Sequence, residues 1–459
     1  MSPSASAEPC QGVDQGSTGA LGDPGEFALD AAYRAASQAG IIDDIANAIV
    51  GSPSPWFAPV GGFMPQLTGR TQAVSLVTGR TSANKTPERF GITGTDLGIL
   101  WDNGAGQTLM ASGDTMGNCI GDTQWRSNVL FRSGDGDLSN GMHLDDAPME
   151  APGLAKSIIP RSGMPALERT TIPTAGISVA GKQYLRYMSV IDWGAPGHWA
   201  TNYSALAVSG DNGENWAPLP WTWRVSGQNR FPLGPANDFS YDIDVPASPA
   251  APAHTERRSD GPPRMDEGQM SAFLKDGDFA YEYLTPSGRQ GDARLARVRI
   301  KDGAGQEYWQ DFENPRAYEY WDGGAWVPDP RRAAPVLPAP VSELSVSYNQ
   351  YLGRYVALYT NADNNIVMRQ ADSPAGPWSG EDVLLSSRSM PSIYGAYVHP
   401  WSNGRDLYYT VSTWDAYNVF LMRTNLDAVR RDQITPENRP DPTTTGEVVE
   451  TGRTAIPGF

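Results

Sequence analysis

Cysteine is nearly absent from this 459-residue chain, which holds only Cys10 and Cys119. Their wide separation matches no metal-site spacing. The pair is read as one disulfide, with two buried thiols as the alternative. Oxidised, it would close a loop of about 110 residues and contribute roughly 4–5 kcal/mol in the chain-entropy model. Histidine is scarce too. His143, His198, His254 and His399 show no H-x-x-H or H-E-x-x-H spacing, which argues against a zinc site. No run of about 18 apolar residues exists, so no transmembrane helix is expected. The phosphate-binding loop, the dinucleotide fingerprint and the G-x-S-x-G elbow are all missing, and with them the functions they carry.

Basic residues are outnumbered, 35 Lys and Arg against 52 Asp and Glu, for a formal charge of -17. Such a surface repels phosphate backbones and anionic headgroups, so neither nucleic acid nor membrane insertion is expected. A neutral polysaccharide is compatible with it; plain solubility is the simpler explanation. The first seven residues lack the basic region and apolar core of an intact signal peptide. They look like the small-residue stretch just past a removed one, which points to a secreted or cell-envelope protein.

Glycine (49) and proline (38) are abundant, and 14 Trp and 19 Tyr are present. This suits many short strands joined by tight turns, with flat rings to spare for sugar faces. Asp23-Pro24 reads as a helix start. Apolar residues from Phe27 to Val50 continue at helical spacing, giving one or two short helices within an N-terminal extension over 1–70. From 71 to 425 a strand, a Gly/Asn/Asp turn and a second strand recur. The copies are Thr95–Trp101 with Gln107–Ser112, Gly176–Val179 with Gln183–Ile191, Met270–Leu274 with Phe279–Leu284, Leu344–Tyr348 with Tyr355–Tyr359, and Ala396–His399 with Leu407–Ser412. Further strands and often a Trp follow each pair. The repeat predicts an all-β, five-bladed β-propeller, with a six-bladed one or a β-sandwich as alternatives. Residues 225–265 read as a Pro- and Arg-rich insertion, a lid or rim loop. Residues 426–459 read as an irregular, surface-wrapping tail.

Two local motifs support the propeller. Ser209-Gly210-Asp211-Asn212-Gly213-Glu214-Asn215-Trp216 resembles the Asp-box of sialidase-type propellers. Ala371-Asp372-Ser373-Pro374-Ala375-Gly376-Pro377-Trp378 resembles a turn common in furanosidase propellers.

A propeller's natural site is the mouth of its central channel, where inner strands begin and second strands end. The first hairpin places Asp96 and Asp114 there. Paired strands lie about 4.8 Å apart, so both acids can reach one pocket. Glycoside hydrolysis needs such a pair, one carboxyl as acid and the other as nucleophile or base. The plain alternative is that both merely cap turns beside glycines. Asp192, Glu343, Gln269 and Tyr394 are predicted at the same mouth, and Arg126, Asn128, Trp193, Trp199, Arg289, His399 and Trp414 on neighbouring loops, all as substrate contacts. The acidic mouth would attract a cation such as calcium. No ligand spacing supports one, and no cofactor is expected.

Many of these residues sit in a run of longer motifs. They are T-G-T-D-L-G (93–98), G-D-T (113–115), W-R-S-N-V-L (125–130), I-P-T (172–174), D-W-G (192–194), S-G-R (287–289), L-A-R-V (295–298), E-L-S-V-S-Y-N (343–349), Y-G-A-Y-V-H-P (394–400) and S-x-W-x-x-Y-N-V (412–419). Together they resemble the actinobacterial family that includes endo-D-arabinanases, glycoside hydrolase family 183. The resemblance implies a five-bladed propeller that cleaves internal D-arabinofuranosyl linkages in mycobacterial-type arabinogalactan and lipoarabinomannan. It puts the family's acidic pair on Asp96 and Asp114, without saying which is the acid. A monomer is expected. The competing readings are a non-catalytic glycan-binding propeller and another glycosidase, such as an L-arabinanase or a sialidase. No three arginines at matching mouth positions support a sialidase.

Overall fold

The computed structural model describes residues 63–67, 69–117, 124–231, 241–245, 247–258, 264–428 and 448–455. Cys10, Cys119 and the expected N-terminal helices lie outside them.

Five antiparallel sheets form the five blades of a propeller. Blade 1 has Gly94–Asp102, Thr108–Met116 and Val129–Ser133. Blade 2 has Thr170–Val179, Lys182–Trp193, Trp199–Ser209 and Ala217–Val225. Blade 3 begins with Met270–Asp276, Phe279–Thr285 and Ala293–Arg299, and short outer strands extend it. Blade 4 has Ser345–Asn349, Arg354–Thr360, Ile366–Ala371 and Asp382–Leu385. Blade 5 has Ile393–Val398, Asp406–Thr413 and Asn418–Asn425, and its outermost strand is Thr71–Leu76 from the start of the propeller. Each inner strand packs on the next, and that of blade 5 meets that of blade 1, which closes the ring.

The core is divided to match. Each of the five seams between neighbouring blades holds its own apolar cluster. Ile99, Leu109 and Leu185 lie between blades 1 and 2. Ile177, Leu284 and Val298 lie between 2 and 3. Leu274, Val346 and Ala357 lie between 3 and 4. Leu358, Val411 and Phe420 lie between 4 and 5. Val129, Phe131 and Leu421 close the circle. Strands buried on both faces need no strict apolar-polar alternation, which is why their sequences read as near-continuous apolar runs.

Turn chemistry sets the hairpins. Ala180 and Gly181 both have left-handed φ, 50° and 78°, the combination a two-residue hairpin turn demands. In the Asp-box, Ser209 Oγ donates to Asp211 Oδ1 at 2.7 Å, the Asn215 amide donates to the same oxygen at 2.9 Å, and Trp216 Nε1 donates to the Gly213 carbonyl at 3.0 Å. The turn also clasps blade 1, because Arg132 Nε donates to the Asn212 carbonyl at 2.9 Å.

Two stretches are more regular than their composition suggests. The tail read as irregular contributes the strand Val448–Ala455, paired with Phe63–Leu67. Within the 225–265 insertion, Tyr241–Val245 pairs with His254–Arg258 as a hairpin.

Candidate active site

The inner hairpin of blade 1 is irregular where it matters. Its register shifts between Thr95 and Leu97 and again between Leu97 and Ile99. Leu97 and Gly98 have left-handed φ of 68° and 75°. For a branched residue such as Leu97 that backbone costs about 1–3 kcal/mol and persists only where its surroundings enforce it. Three contacts do so. The Thr95 amide donates to the Tyr417 carbonyl at 2.8 Å, Thr410 Oγ1 donates to the Gly98 carbonyl at 2.8 Å, and the Leu97 side chain is buried.

The kink lays Asp96 over the neighbouring strand. Its Oδ1 lies 2.5 Å from where a Cβ on Gly113 would stand, and Asp114 follows directly. Asp96 is 9% exposed. Tyr394 Oη donates to its Oδ2 at 2.9 Å, while Oδ1 has no hydrogen-bond partner among the described residues. Burial, then the charge of Asp114, push the Asp96 carboxyl up to about 8. The charge of Glu343 adds to this, and the Tyr394 hydroxyl and the Arg289 charge oppose it. Asp96 is therefore a protonated acid at neutral pH. Asp114 is held from blade 2, where Thr170 Oγ1 donates to its Oδ1 at 2.6 Å.

Blades 3, 4 and 5 complete the surroundings. Arg289, on the loop after Phe279–Thr285, grips Glu343 with Nη2 at 2.7 Å and Nε at 3.1 Å from both carboxylate oxygens. Its backbone amide donates to the Gly197 carbonyl at 2.8 Å. Its guanidinium also stands 5.1 Å from the Tyr394 ring centre and 5.9 Å from that of Trp199. Trp414 stacks on Tyr394, with centroids 5.0 Å apart. Burial and then the charge of Asp96 raise the Tyr394 hydroxyl well above its ordinary 10.0, so it remains a donor. Chemically, this is a protonated carboxyl beside a second acid, bordered by aromatic rings: the elements of general acid–base work on a glycosidic bond.

A family model described as "Domain of unknown function (DUF4185)" matches residues 81–423. The chain belongs to this family. Notoamide biosynthesis cluster protein J from Aspergillus sp. is 29% identical over 353 residues, spanning 71% of this chain and 81% of that protein. Notoamide biosynthesis cluster protein J' from Aspergillus versicolor is 28% identical over 351 residues, spanning 71% and 82%. Among solved structures, an exo-beta-1,3-galactanase from Phanerochaete chrysosporium gives a TM-score of 0.42 at 10% identity, covering 79% of this chain and 65% of that one. The Bacillus subtilis arabinanase Arb43A gives 0.36 at 13% identity, covering 72% and 89%.

Within this DUF4185 domain only some of the residues expected at the mouth come together. Asp96, Asp114, Arg289, Glu343, Tyr394, Trp414 and Trp199 come together as described. Trp193 reaches the rim, 38% exposed and edge-on to Trp199 at 5.8 Å. Asp192 points to solvent, with Arg169 Nε 3.8 Å away. Four expectations are corrected. Arg126 donates to the carbonyls of Gly91 at 2.6 Å and Ala155 at 2.8 Å and is buried as a loop anchor. Asn128 donates to the Ile159 and Thr171 carbonyls and accepts from the Ile158 and Ile159 amides. Gln269 is fully buried between Thr201 Oγ1 and the carbonyls of Arg224 and Met265. His399 follows the far end of the inner strand of blade 5, packs against Trp401, and is driven by burial down to about 4. Buried backbone groups must find partners, and these polar side chains supply them. Thr170 and Gly113 were not foreseen. Pro173 interrupts the β pattern and hides the start of the strand that carries Thr170.

Proposed function

We propose that this chain is a glycoside hydrolase cleaving internal D-arabinofuranosyl linkages of mycobacterial-type arabinogalactan and lipoarabinomannan, with Asp96 as the proton donor and Asp114 as its partner. The observation that carries the reading is the pair itself, one buried acid held protonated to about pH 8 beside a second acid on the adjacent strand. The motifs that resemble the endo-D-arabinanase family support the substrate. Six of them, from 93–98, 113–115, 287–289, 343–349, 394–400 and 412–419, supply Asp96, Asp114, Arg289, Glu343, Tyr394 and Trp414 to one cluster.

In the cleavage step Asp96 passes its proton to the glycosidic oxygen as the bond from that oxygen to the anomeric carbon breaks. Asp114 meets the oxocarbenium-like carbon, either by bonding to it or by taking a proton from the water that does. A secreted or cell-envelope location and a polymeric, uncharged substrate accord with the net charge of -17. The test is incubation with mycobacterial arabinogalactan and, in parallel, with plant L-arabinan. Oligosaccharides are expected from the first only. Asp96→Asn and Asp114→Asn should each lose about 10²–10⁴-fold in rate. Full activity in both variants removes the site assignment, and binding without cleavage makes the protein a glycan-binding module instead.

A further inference from the structure

The surroundings of Asp96 fix its two oxygens differently. Tyr394 is 1% exposed and packed against both Trp414 and the Arg289 guanidinium. Left-handed backbone flanks it at Ser392 and Gly395, φ 62° and 64°. The ring has little freedom, so its hydroxyl meets Oδ2 in one geometry. Oδ1 faces the strand of Asp114 across Gly113, where any side chain would collide with it.

We propose that Tyr394 and Gly113 are positioning residues for the hydrolysis: Tyr394 holds Oδ2 of Asp96 in one place, and the bare backbone of Gly113 leaves the space in which the buried Oδ1 lies, so that together they fix the orientation of the carboxyl. The inference rests on the hydrolase reading for its kinetic consequence, but the geometry stands apart from it. The groups facing Asp96 are Asp114 on its own blade, Tyr394, Tyr397 and Tyr417 from blade 5, Glu343 ahead of blade 4, and Arg289 from the loop between the second and third strands of blade 3. The Tyr394 hydrogen bond stabilises the anion of Asp96. Removing it therefore moves the titration upward, the opposite of what loss of Asp114 or Glu343 would do.

Two substitutions test this on the full chain. Tyr394→Phe keeps the ring and removes the hydroxyl. On mycobacterial arabinan it should lower kcat about 10–100-fold with little change in KM, and move the alkaline limb of the pH profile upward. Gly113→Ala is free of backbone strain, because Gly113 is not left-handed. It should lower kcat by a similar factor while the melting temperature stays within a few degrees. A readout independent of turnover is the ¹³C titration of the Asp96 carboxyl, identified by its loss in Asp96→Asn. Its midpoint should lie near 8 in the native chain and higher in Tyr394→Phe. An unmoved midpoint, or native kcat in Gly113→Ala, overturns the proposal. If the native chain cleaves no arabinan but the midpoint rises in Tyr394→Phe, the positioning geometry stands and the hydrolase reading falls.

Discussion

Replacing Asp96 with Asn should make the protein more stable at neutral pH, although it removes the proposed acid. In the unfolded chain an aspartate releases its proton near 3.8, whereas folded Asp96 keeps it to about 8. Across that window the folded state binds one more proton than the unfolded state. Its stability therefore falls as pH rises, by about 1.4 kcal/mol per pH unit. At pH 7 the accumulated cost is at most about 4 kcal/mol, and relaxation around the carboxyl brings the expected gain from Asn to roughly 2–4 kcal/mol. Asn has no charge to bury and keeps a carbonyl oxygen for Tyr394. Urea unfolding of both proteins from pH 4 to 9 measures the difference. It should be near zero at pH 4 and grow to pH 8. Equal stability at pH 7, or a gap that does not change with pH, would refute the claim that burial and Asp114 hold this carboxyl neutral.

The rate should report the same group: kcat/KM on arabinan should fall along an alkaline limb near pH 8, and a profile flat to pH 10 would exclude Asp96 as the acid. Glu282 is buried between Arg186 and Arg224 and accepts from both. The two guanidiniums outweigh its burial and hold it down to about 2. Glu282→Gln should cost about 3–5 kcal/mol in urea unfolding at pH 7, because it leaves two buried cations without their anion. The native chain should lose this contribution as pH falls from 4.5 toward 2; a cost under about 1 kcal/mol would contradict this. Trp193→Ala, at the exposed rim, should leave the melting temperature unchanged and raise KM for polymeric substrate roughly 2–10-fold.

The hairpins of the propeller were legible because their turns use residues suited to left-handed backbone, such as Gly181, Gly277 and Gly353. Their first and last residues were less so. The inner strand of blade 2 begins at Thr170, six residues before Gly176, because Pro173 sits inside it. The outer strand of blade 5 could not be assigned from local pattern, since its partner is at the other end of the chain. At the site, Asp96 and Asp114 stood out because two acids bracket one hairpin. Arg126, Asn128 and Gln269 look like mouth residues in sequence, but nothing local shows that a polar group will be used by buried carbonyls. The part played by Tyr394 depends on a contact spanning 298 positions, which no spacing rule reaches.

That contact gives the ring closure a chemical meaning. Thr71 and Thr424 are hydrogen-bonded 353 positions apart, so the fifth blade is finished by the first strand of the propeller. Both acids are synthesised early, but the phenol, guanidinium and indole around them come from segments made later. The raised proton affinity of Asp96 thus depends on groups that the last blades bring beside the first. A buried acid of this kind therefore requires the closed ring and not the first hairpin alone.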